Sequence, residues 1–285
     1  MHIARLCSAP LLAFAVAGSA SAADLAPLKA PPVVGFNWSS CYGGGFLGGA
    51  QSAGDMAVTD LGNAQFRSYS GGLVAGRVEN QHSWNLSPQS NVIGGITGGC
   101  NWQPVGSPWV VGIEGETGYI KLEGSAVDPL RSPSLPAVTP DVRASTNVGN
   151  WYGMITGRLG YAWDRTLLYV KGGVAFVQAR AAVNDFCLTT ASGCGNWAIS
   201  TLSVDQTLTT WTAGGGLEWA LFDNWSVKAE YMFIGLGDKS VTACAAATTS
   251  AGAAVPGGQF CFNHELAGIH TAKIGLNYRF TTVTF

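Results

Sequence analysis

The last patterned stretch of the chain, Gly268 to Phe280, has a period of two. From Ala272 onward the even positions are apolar or aromatic, while the odd positions are polar, charged or glycine. Because successive side chains of a β-strand point to opposite faces, this period predicts a strand. One face is entirely apolar, and the other carries Lys273 and Arg279. Any neighbouring strand must offer the same two contrasting faces, so this stretch constrains the whole fold.

Seven earlier segments show a similar alternation. With the last strand, the predicted segments are Asn37 to Ala50, Asn91 to Gln103, Pro108 to Ser125, Trp151 to Asp164, Thr166 to Asn184, Thr209 to Leu221, Trp225 to Thr242 and Asn263 to Phe280. Short connections (103–108, 164–166, 222–224) alternate with long ones (51–90, 126–150, 185–208, 243–262). Short periplasmic turns and long extracellular loops are typical of bacterial outer-membrane barrels with an even number of strands.

Charged residues fall on the face opposite to the apolar one. By parity, the inward charges are Glu114, Glu116, Arg158, Lys171, Glu218, Lys228, Glu230, Lys273 and Arg279. An eight-stranded barrel has an interior only wide enough for side chains, and an unpaired charge there is costly. We therefore expect acids and bases to pair and to close the lumen. The alternative is that some of these residues lie near the rims in contact with water.

Periodicity alone does not separate a membrane barrel from a soluble barrel with an apolar core. Three observations favour the membrane. The chain begins with an export signal, only 11% of its residues are charged, and aromatic residues collect near the short turns. Such rings are typical of a membrane interface. They are Trp38, Trp102, Trp109, Trp163, Trp219, Trp225 and Tyr278.

The N-terminus has the pattern of a secretory signal. Within residues 1–22, one cation, Arg5, precedes an apolar run from Leu11 to Ala17 and small residues before Ala23. The run is too short for a membrane-spanning helix. Residues 23–35 form a predicted Pro-rich periplasmic linker, and residues 36–285 form the predicted barrel domain. The formal net charge of −2 argues against nucleic acid as a partner.

Several motifs resemble the small eight-stranded outer-membrane proteins of Gram-negative bacteria, the opacity-porin-like family. They lie at Asn37-Trp38 with Tyr42 and Gly44, and at residues 98–103, 157–161, 214–219, 223–231 and 270–280. The resemblance implies an all-β, eight-stranded, antiparallel, transmembrane up-and-down barrel in the outer membrane. It also implies contact with outer-membrane lipid and lipopolysaccharide, with the barrel-assembly machinery during biogenesis, and with an extracellular or host ligand through the long loops. It names no reaction.

The C-terminus departs from that family, whose members usually end at the aromatic residue corresponding to Phe280. The assembly machinery is thought to read this terminal ring, but here five residues follow and end in Phe285. Because 280 and 285 differ by an odd number, both rings cannot lie on one face of an unbroken strand. The assembly signal is therefore either Phe280 or Phe285, or a bulge intervenes.

The cysteines suit an oxidising compartment. Loop positions predict two local disulfides, Cys187 to Cys194 and Cys244 to Cys261. Cys41 lies on the presumed inner face, whereas Cys100 shares the parity of the outward Trp102, and this disfavours a bridge between them. A metal cluster would be the alternative, but the sequence has no Cys-x-x-Cys pair.

Evidence for an enzyme is weak. Some small outer-membrane barrels hydrolyse lipids with a Ser and His pair, so His82, Ser83, His264 and His270 are the candidates. Adjacent residues of a strand point to opposite faces, which weakens His82 with Ser83. Gly43 to Gly49 lacks the Lys-Ser/Thr of a phosphate loop. The sequence predicts no enzyme, cofactor or metal site, and favours a structural or surface-interaction role. The alternatives are a low-conductance porin and, less favoured, a lipid-modifying enzyme.

Overall fold

A computed structural model describes residues 36–61, 82–129, 142–185, 197–198, 202–249 and 254–280. Its strands in chain order are β1 (Ser40–Ser52), β2 (Met56–Asp60), β3 (His82–Leu86), β4 (Asn91–Trp102), β5 (Trp109–Val127), β6 (Val142–Trp163), β7 (Thr166–Asp185), β8 (Trp197–Ala198), β9 (Leu202–Ala220), β10 (Trp225–Ile234), β11 (Ser240–Thr249), β12 (Ala254–Glu265) and β13 (Ile269–Arg279). Eight of them close an antiparallel barrel in the order β1-β13-β10-β9-β7-β6-β5-β4. The predicted fold class is confirmed.

The patterned C-terminal stretch, β13, closes this barrel. It pairs with β1 from Tyr42 opposite Arg279 to Ser52 opposite Ile269, and on its other edge with β10. Tight hairpins join β4 to β5, β6 to β7 and β9 to β10 at one end, which we call the short-turn end. The opposite end is the long-loop end.

The structure contains a second sheet that was not predicted from the sequence. The strands β3-β2-β12-β11-β8 form a five-stranded sheet, here called the cap, from residues expected in loops or at the ends of barrel strands. The predicted seventh strand, extended to Thr242, ends at Ile234, and the eighth begins at Ile269 instead of Asn263. Both errors have one cause. The gaps 235–239 and 266–268 are short, and the buried positions change from even to odd numbers across each, so the strands on either side appeared merged.

The cap packs against an extension of the barrel wall. β5, β6, β7 and β9 continue past the ends of their barrel neighbours, so residues predicted in long loops are paired strand instead. Their inward side chains and those of the cap form one apolar cluster. Its members include Leu122, Ala144, Val148, Ala179 and Ala181 of the wall, and Met56, Val58, Trp84, Leu86, Val241 and Phe262 at the cap. The two sheets therefore form a sandwich at the long-loop end.

A bulge in β6 separates the barrel from this sandwich. The pairing of β6 with β7 shifts between Val148 and Tyr152, where Gly149 and Asn150 have positive φ values of 124° and 68°. A β-carbon on Gly149 would lie 1.8 Å from the carbonyl oxygen of Ile120, so only glycine fits. A bulge increases the bend and twist of its strand, which turns the wall toward the cap.

The outer face of the barrel is apolar between two aromatic belts. Six of the seven rings expected near the short turns are exposed there, from Tyr278 at 40% to Trp163 at 56%. The seventh, Trp38, also lies at this end, but it is fully buried inside the lumen and does not belong to the exposed belt. A second exposed belt contains Tyr119, Trp151, Trp211 and Tyr231.

On β6 the two belts lie at Trp151 and Trp163, a separation of roughly 30 Å once strand rise and tilt are included. That distance is close to the thickness of a bilayer core. Among the described residues, no helix combines the length and apolar character required to cross a membrane.

Candidate functional site

The barrel interior holds a dense cluster of charged side chains. Four glutamates and four cations, each at most 6% exposed, meet in the lumen: Glu114, Glu116, Glu218, Glu230, Arg158, Lys171, Lys228 and Lys273. We call these eight residues the lumen network. They come from β5, β6, β7, β9, β10 and β13, so the network links strands around most of the barrel.

Glu114 lies at the centre of the lumen network. Its Oε1 accepts a hydrogen bond from Lys171 Nζ at 2.5 Å and from Lys228 Nζ at 3.2 Å. Its Oε2 accepts the Tyr42 hydroxyl at 2.5 Å. A buried carboxylate is costly unless its lone pairs are satisfied, and here three donors from three other strands satisfy them.

Glu230 and Glu116 share lysine partners. Lys171 Nζ lies 2.8 Å from Glu230 Oε2, and Lys273 Nζ lies 3.0 Å from Glu230 Oε1. Lys273 also donates to Glu116 Oε1 at 2.6 Å. Each lysine thus connects two carboxylates, so the ion pairs form a continuous chain and not isolated contacts.

Arg158 and Glu218 form a direct ion pair near the short-turn end. Ser226 and Asn277 donate to the second Glu218 oxygen at 2.6 and 3.0 Å. The Arg158 guanidinium lies 3.6 Å from the centre of the Tyr169 ring, close enough for a cation–π contact.

No carboxylate of the described residues forms an ion pair with Arg279, although acids and bases of the inner face were expected to pair. Its Nε donates to Ser40 Oγ at 3.0 Å, and its Nη2 donates to the carbonyl oxygen of Asn37 at 2.5 Å. Its guanidinium lies 4.4 Å from the Phe36 ring. As the last inward residue of β13, Arg279 sits beyond the lumen network and contacts the segment that enters β1.

Three tyrosines that were not predicted from the sequence complete the lumen network. The hydroxyls of Tyr42, Tyr152 and Tyr169 donate to Glu114, Glu116 and Glu230. Two of them could have been predicted from the alternation of the strands. Tyr152 lies on the same face of β6 as Arg158, and Tyr169 lies on the same face of β7 as Lys171. Aromatic residues were expected on the lipid-facing side, so these tyrosines were not predicted in the lumen.

Each of these tyrosines is directly opposite a glycine on the next strand. The pairs are Tyr42 with Gly99, Tyr152 with Gly118, and Tyr169 with Gly216. A β-carbon on Gly216 would lie 2.6 Å from the Tyr169 hydroxyl oxygen, and one on Gly99 would lie 2.8 Å from that of Tyr42. These glycines give the rings the space they need to reach the carboxylates.

Apolar side chains close the lumen on both sides of the lumen network. Toward the short-turn end, Trp38 is fully buried and its indole donates to the carbonyl oxygen of Asp164 at 3.1 Å. Toward the long-loop end, Phe46, Ile93 and Met154 belong to the apolar cluster that continues into the cap. Throughout the described part of the chain, the barrel is filled with side chains.

Three carboxylates of the lumen network could in principle bind a metal ion. Oxygens of Glu114, Glu116 and Glu230 lie within 4.8 Å of one another. The ammonium groups of Lys171 and Lys273 already contact these oxygens, in the positions a cation would take. Lysine therefore supplies the compensating charge.

The disulfides differ in part from the expected set. Cys244 and Cys261, opposite each other on β11 and β12, are joined as the sequence predicted. Cys41 and Cys100 are also joined, so the expectation against this bridge was wrong. Both face outward, because Tyr42 and Phe46 place the inner face of β1 on the even positions. Cys187 and Cys194 lie outside the described residues.

The remaining residues that the sequence suggested as possible sites are His270, Phe280, Phe285, His82 and Ser83. The His270 ring contacts the hydroxyl of Tyr231 at 2.6 Å, on the outer face. Phe280 is 54% exposed beside Tyr278, while Phe285 lies outside the described residues. The side chain of His82 also lies outside them, whereas Ser83 bonds to Thr59 at 2.7 Å.

His264 lies fully buried between the cap and the barrel wall. Its Nδ1 is 2.8 Å from Thr146 Oγ1, and its Nε2 has no hydrogen-bond partner in the described structure. Burial disfavours the charged imidazolium and lowers the pKa of His264 to about 4. At neutral pH the sandwich therefore contains a neutral histidine.

Comparison with known proteins is consistent with this architecture. Residues 11–280 match the family model described as "Outer membrane protein beta-barrel domain". A relative named "31 kDa outer-membrane immunogenic protein" from Brucella melitensis is 31% identical over 189 residues, which cover 66% of each chain. A Brucella suis protein of the same name matches equally.

Two solved structures are also similar. OprG from Pseudomonas aeruginosa has 9% identity and a TM-score of 0.47, with 86% of this chain and 98% of that chain covered. Ail from Yersinia pestis has 13% identity and a TM-score of 0.34, with 85% and 99% covered. Both scores are below 0.5, so the fold assignment rests on the strand topology and the family match.

Proposed function

Because the chain belongs to the outer-membrane protein β-barrel domain family, we propose that it is a closed barrel with a structural and surface-contact role in the cell envelope. Its location is the outer membrane. The observation that carries the proposal is the filled lumen, in which four carboxylates and four cations pair between apolar layers. A packed interior supports a scaffold that anchors and presents the sandwich, and it disfavours a porin.

Surface contact follows from the position of the cap. Long loops of outer-membrane barrels face outward, so the long-loop end and its sandwich would face the exterior. Rigid scaffolds commonly present binding surfaces in this way. The Brucella relative is named for its immunogenicity, which fits a surface-exposed domain in that protein. We extend this exposure to the present chain and propose an extracellular or host ligand as its partner.

The proposal also includes the steps that bring the chain to the membrane. Residues 1–22 would be removed as a signal peptide, and residues 23–35 would remain as a periplasmic linker. The barrel-assembly machinery would recognise a C-terminal aromatic residue, Phe280 or Phe285. We propose no enzymatic activity, because in the described residues His264 contacts Thr146 and His270 contacts Tyr231.

Epitope insertion tests the orientation. A tag inserted after Gly237, in the exposed turn between β10 and β11, should bind antibody on intact cells. The matched control is a tag after Gly106, in the exposed hairpin between β4 and β5, which should bind antibody only after the outer membrane is permeabilised. Detection of the Gly106 tag on intact cells, with the Gly237 tag hidden, would reject the proposed surface role.

A further inference from the structure

A disulfide on the outer face of the barrel, Cys41–Cys100, joins β1 to β4. Trp102 lies two residues after Cys100 on the same face, is 53% exposed, and belongs to the aromatic belt at the short-turn end. Both sulfur atoms therefore lie on the membrane side of that belt, where acyl chains surround them. We propose that this bridge is a register lock, which a soluble periplasmic disulfide oxidant closes before the barrel enters the membrane.

The sequences of β1 and β4 specify their mutual register weakly. Glycine occupies five of the 13 residues of β1 and four of the 12 residues of β4, and neither strand contains a charged residue. The connection between them, residues 53–90, includes β2 and β3, so no tight turn sets the pairing. Strands that are rich in glycine are prone to slippage. This pair of strands therefore needs another feature to fix its alignment.

The spacing of the glycines makes one slip especially easy. In the native pairing, Tyr42 lies opposite Gly99, and Phe46 lies opposite Gly95. Each ring needs its glycine, because a β-carbon on Gly99 would lie 2.8 Å from the Tyr42 hydroxyl oxygen and one on Gly95 would lie 2.8 Å from the Phe46 ring. The two rings are four residues apart, and so are the two glycines. A slip of four residues therefore places a ring opposite a glycine again, and it leaves every side chain on its own face.

The disulfide excludes this slip. A strand rises about 3.3 Å per residue, so a slip of four residues would separate Cys41 from Cys100 by about 13 Å along the strands. A disulfide requires the two Cα atoms to lie within about 7 Å of each other. The pairing of β1 with β13 also fixes β1, but it exists only once the barrel has closed. Before closure, the bridge can hold the first two barrel strands in the native register.

The chemistry of the bridge places its formation before membrane insertion. A cysteine thiolate attacks a disulfide sulfur of the oxidant and forms a mixed disulfide, while the other sulfur of the oxidant leaves as a thiolate. The thiolate of the second cysteine then attacks the cysteine sulfur of the mixed disulfide and releases the reduced oxidant as a dithiol. Overall, the two cysteines lose two protons and two electrons to the oxidant. Acyl chains neither solvate a thiolate nor admit a soluble oxidant, so the exchange requires the thiols in water.

The second described disulfide provides a control within the same chain. Cys244 and Cys261 lie on the face of the cap opposite to that of the buried Ala243 and Phe262, and Cys244 is exposed. This face is directed away from the apolar cluster of the sandwich. A soluble oxidant should therefore reach this pair after folding, in contrast to the pair on the barrel wall.

Oxidation of the folded protein tests the order of the two events. The mature chain, with Cys187→Ser and Cys194→Ser, is folded in reduced form into lipid nanodiscs, treated with oxidised glutathione and mapped by mass spectrometry. Cys244 and Cys261 should become bridged, while Cys41 and Cys100 remain thiols. Oxidation of both pairs at the same rate would overturn the proposed order.

Pulse labelling in cells tests the same order without refolding. Chains trapped by acid and alkylation should already contain the Cys41–Cys100 bridge while they still lack the gel mobility of the folded barrel. Appearance of this bridge exclusively in folded barrels would contradict closure before insertion.

Relocating the bridge tests the register lock. If the native register and the two slips of four residues are about equally populated, Cys41→Ser with Cys100→Ser should lower the yield of folded barrel from urea to roughly one third. Adding Gly45→Cys and Ile96→Cys to this variant should restore the yield, because these positions lie opposite each other on the same face. A yield equal to that of the wild type without any bridge, or no recovery with the relocated bridge, would overturn the lock.

A misplaced bridge is the matched control. Cys41→Ser with Gly45→Cys leaves Cys100 to pair with position 45, which is possible in the slipped register. The closed loop is almost as long as the native one, so the chain-entropy effect of the bridge is nearly unchanged. Oxidation of this variant before folding should prevent the barrel from reaching its folded gel mobility. Normal folding of the oxidised variant would show that the bridge stabilises the chain without setting its register.

Discussion

At the scale of single residues, position in the lumen decides what each charge contributes. Glu114 is satisfied by donors from three strands, while Arg279 donates to a backbone and a hydroxyl oxygen near the rim. Replacing a buried ion pair with apolar residues is often neutral, but removing one partner leaves an uncompensated charge. Single substitutions in the lumen network should therefore be much more damaging than those in exposed pairs.

Arg158→Ala should lower the free energy of unfolding by about 3 to 5 kcal/mol, because Glu218 loses its cation in a buried site. Arg165→Ala is the control, since the exposed Arg165 pairs with Asp223 at 3.5 Å and should contribute little. Urea titration in lipid vesicles, followed by gel mobility, measures both. If the two variants unfold at the same urea concentration, the lumen network does not stabilise the barrel.

A second prediction concerns the glycines beneath the tyrosines. Gly99→Ala should displace the Tyr42 ring and the backbone of β5, and lower stability by about 1 to 3 kcal/mol. Gly98→Ala, one residue away and outward, should be nearly neutral. The comparison uses the same urea titration. Similar losses for both would show that strand flexibility, and not space for the ring, explains the glycines.

At the scale of elements, the sequence was informative where a strand separates two unlike environments. The wall strands β6, β7, β9, β10 and β13 alternate between lipid and the lumen network, and their existence and faces could be predicted. β1 was harder because glycines occupy much of both faces and its inward residues Tyr42 and Phe46 are aromatic. The parity of Cys41 was consequently misread.

The cap could not be predicted from local pattern alone. β2 and β3 have five residues each and β8 has two, which is too short for a clear period. Their pairing depends on contacts between segments distant in sequence, such as β12 with β2. The buried pair of His264 and Thr146 is likewise visible only after the sheets are packed.

Acid should loosen the cap. The unfolded chain binds a proton on His264 near pH 6.5, whereas the folded state binds it near pH 4, so stability is greatest above pH 6.5 and falls as the pH drops to about 4. The loss is about 3 kcal/mol. Hydrogen exchange of β12 and β2 at pH 7.5 and 4.5, corrected for intrinsic rates, measures it. His264→Gln should remove the pH dependence of cap stability, and the control His270→Gln should retain it. If His264→Gln retains it and His270→Gln removes it, His264 is not the group responsible.

The two described disulfides should stabilise different elements. Cys41 and Cys100 close a separation of 59 residues and join β1 to β4, so replacing both with alanine should cost the barrel about 4 kcal/mol in the chain-entropy estimate. Cys244 and Cys261 close 17 residues within the cap and should contribute about 3 kcal/mol there. Gel mobility measures unfolding of the barrel, and hydrogen exchange of β11 measures the stability of the cap. If replacing both Cys244 and Cys261 with alanine leaves hydrogen exchange of β11 unchanged, this disulfide does not stabilise the cap.

At the scale of the whole molecule, one filled interior runs from Trp38 through the lumen network to the cap. The barrel wall contacts lipid, the interior is occupied by paired charges and apolar side chains, and the sandwich extends the packed core beyond the aromatic belt. In the described residues, each of these layers consists of buried side chains. This packed interior supports the proposed role in anchoring and surface presentation.

Conductance in planar lipid bilayers is the sharpest test of a closed lumen. The purified, refolded wild type should show little steady current across a range of voltages. Arg158→Ala and Glu230→Ala should raise current noise, because each leaves buried partners unpaired. Large, stable, ion-selective openings from the unmodified protein would contradict a closed lumen and establish the porin alternative.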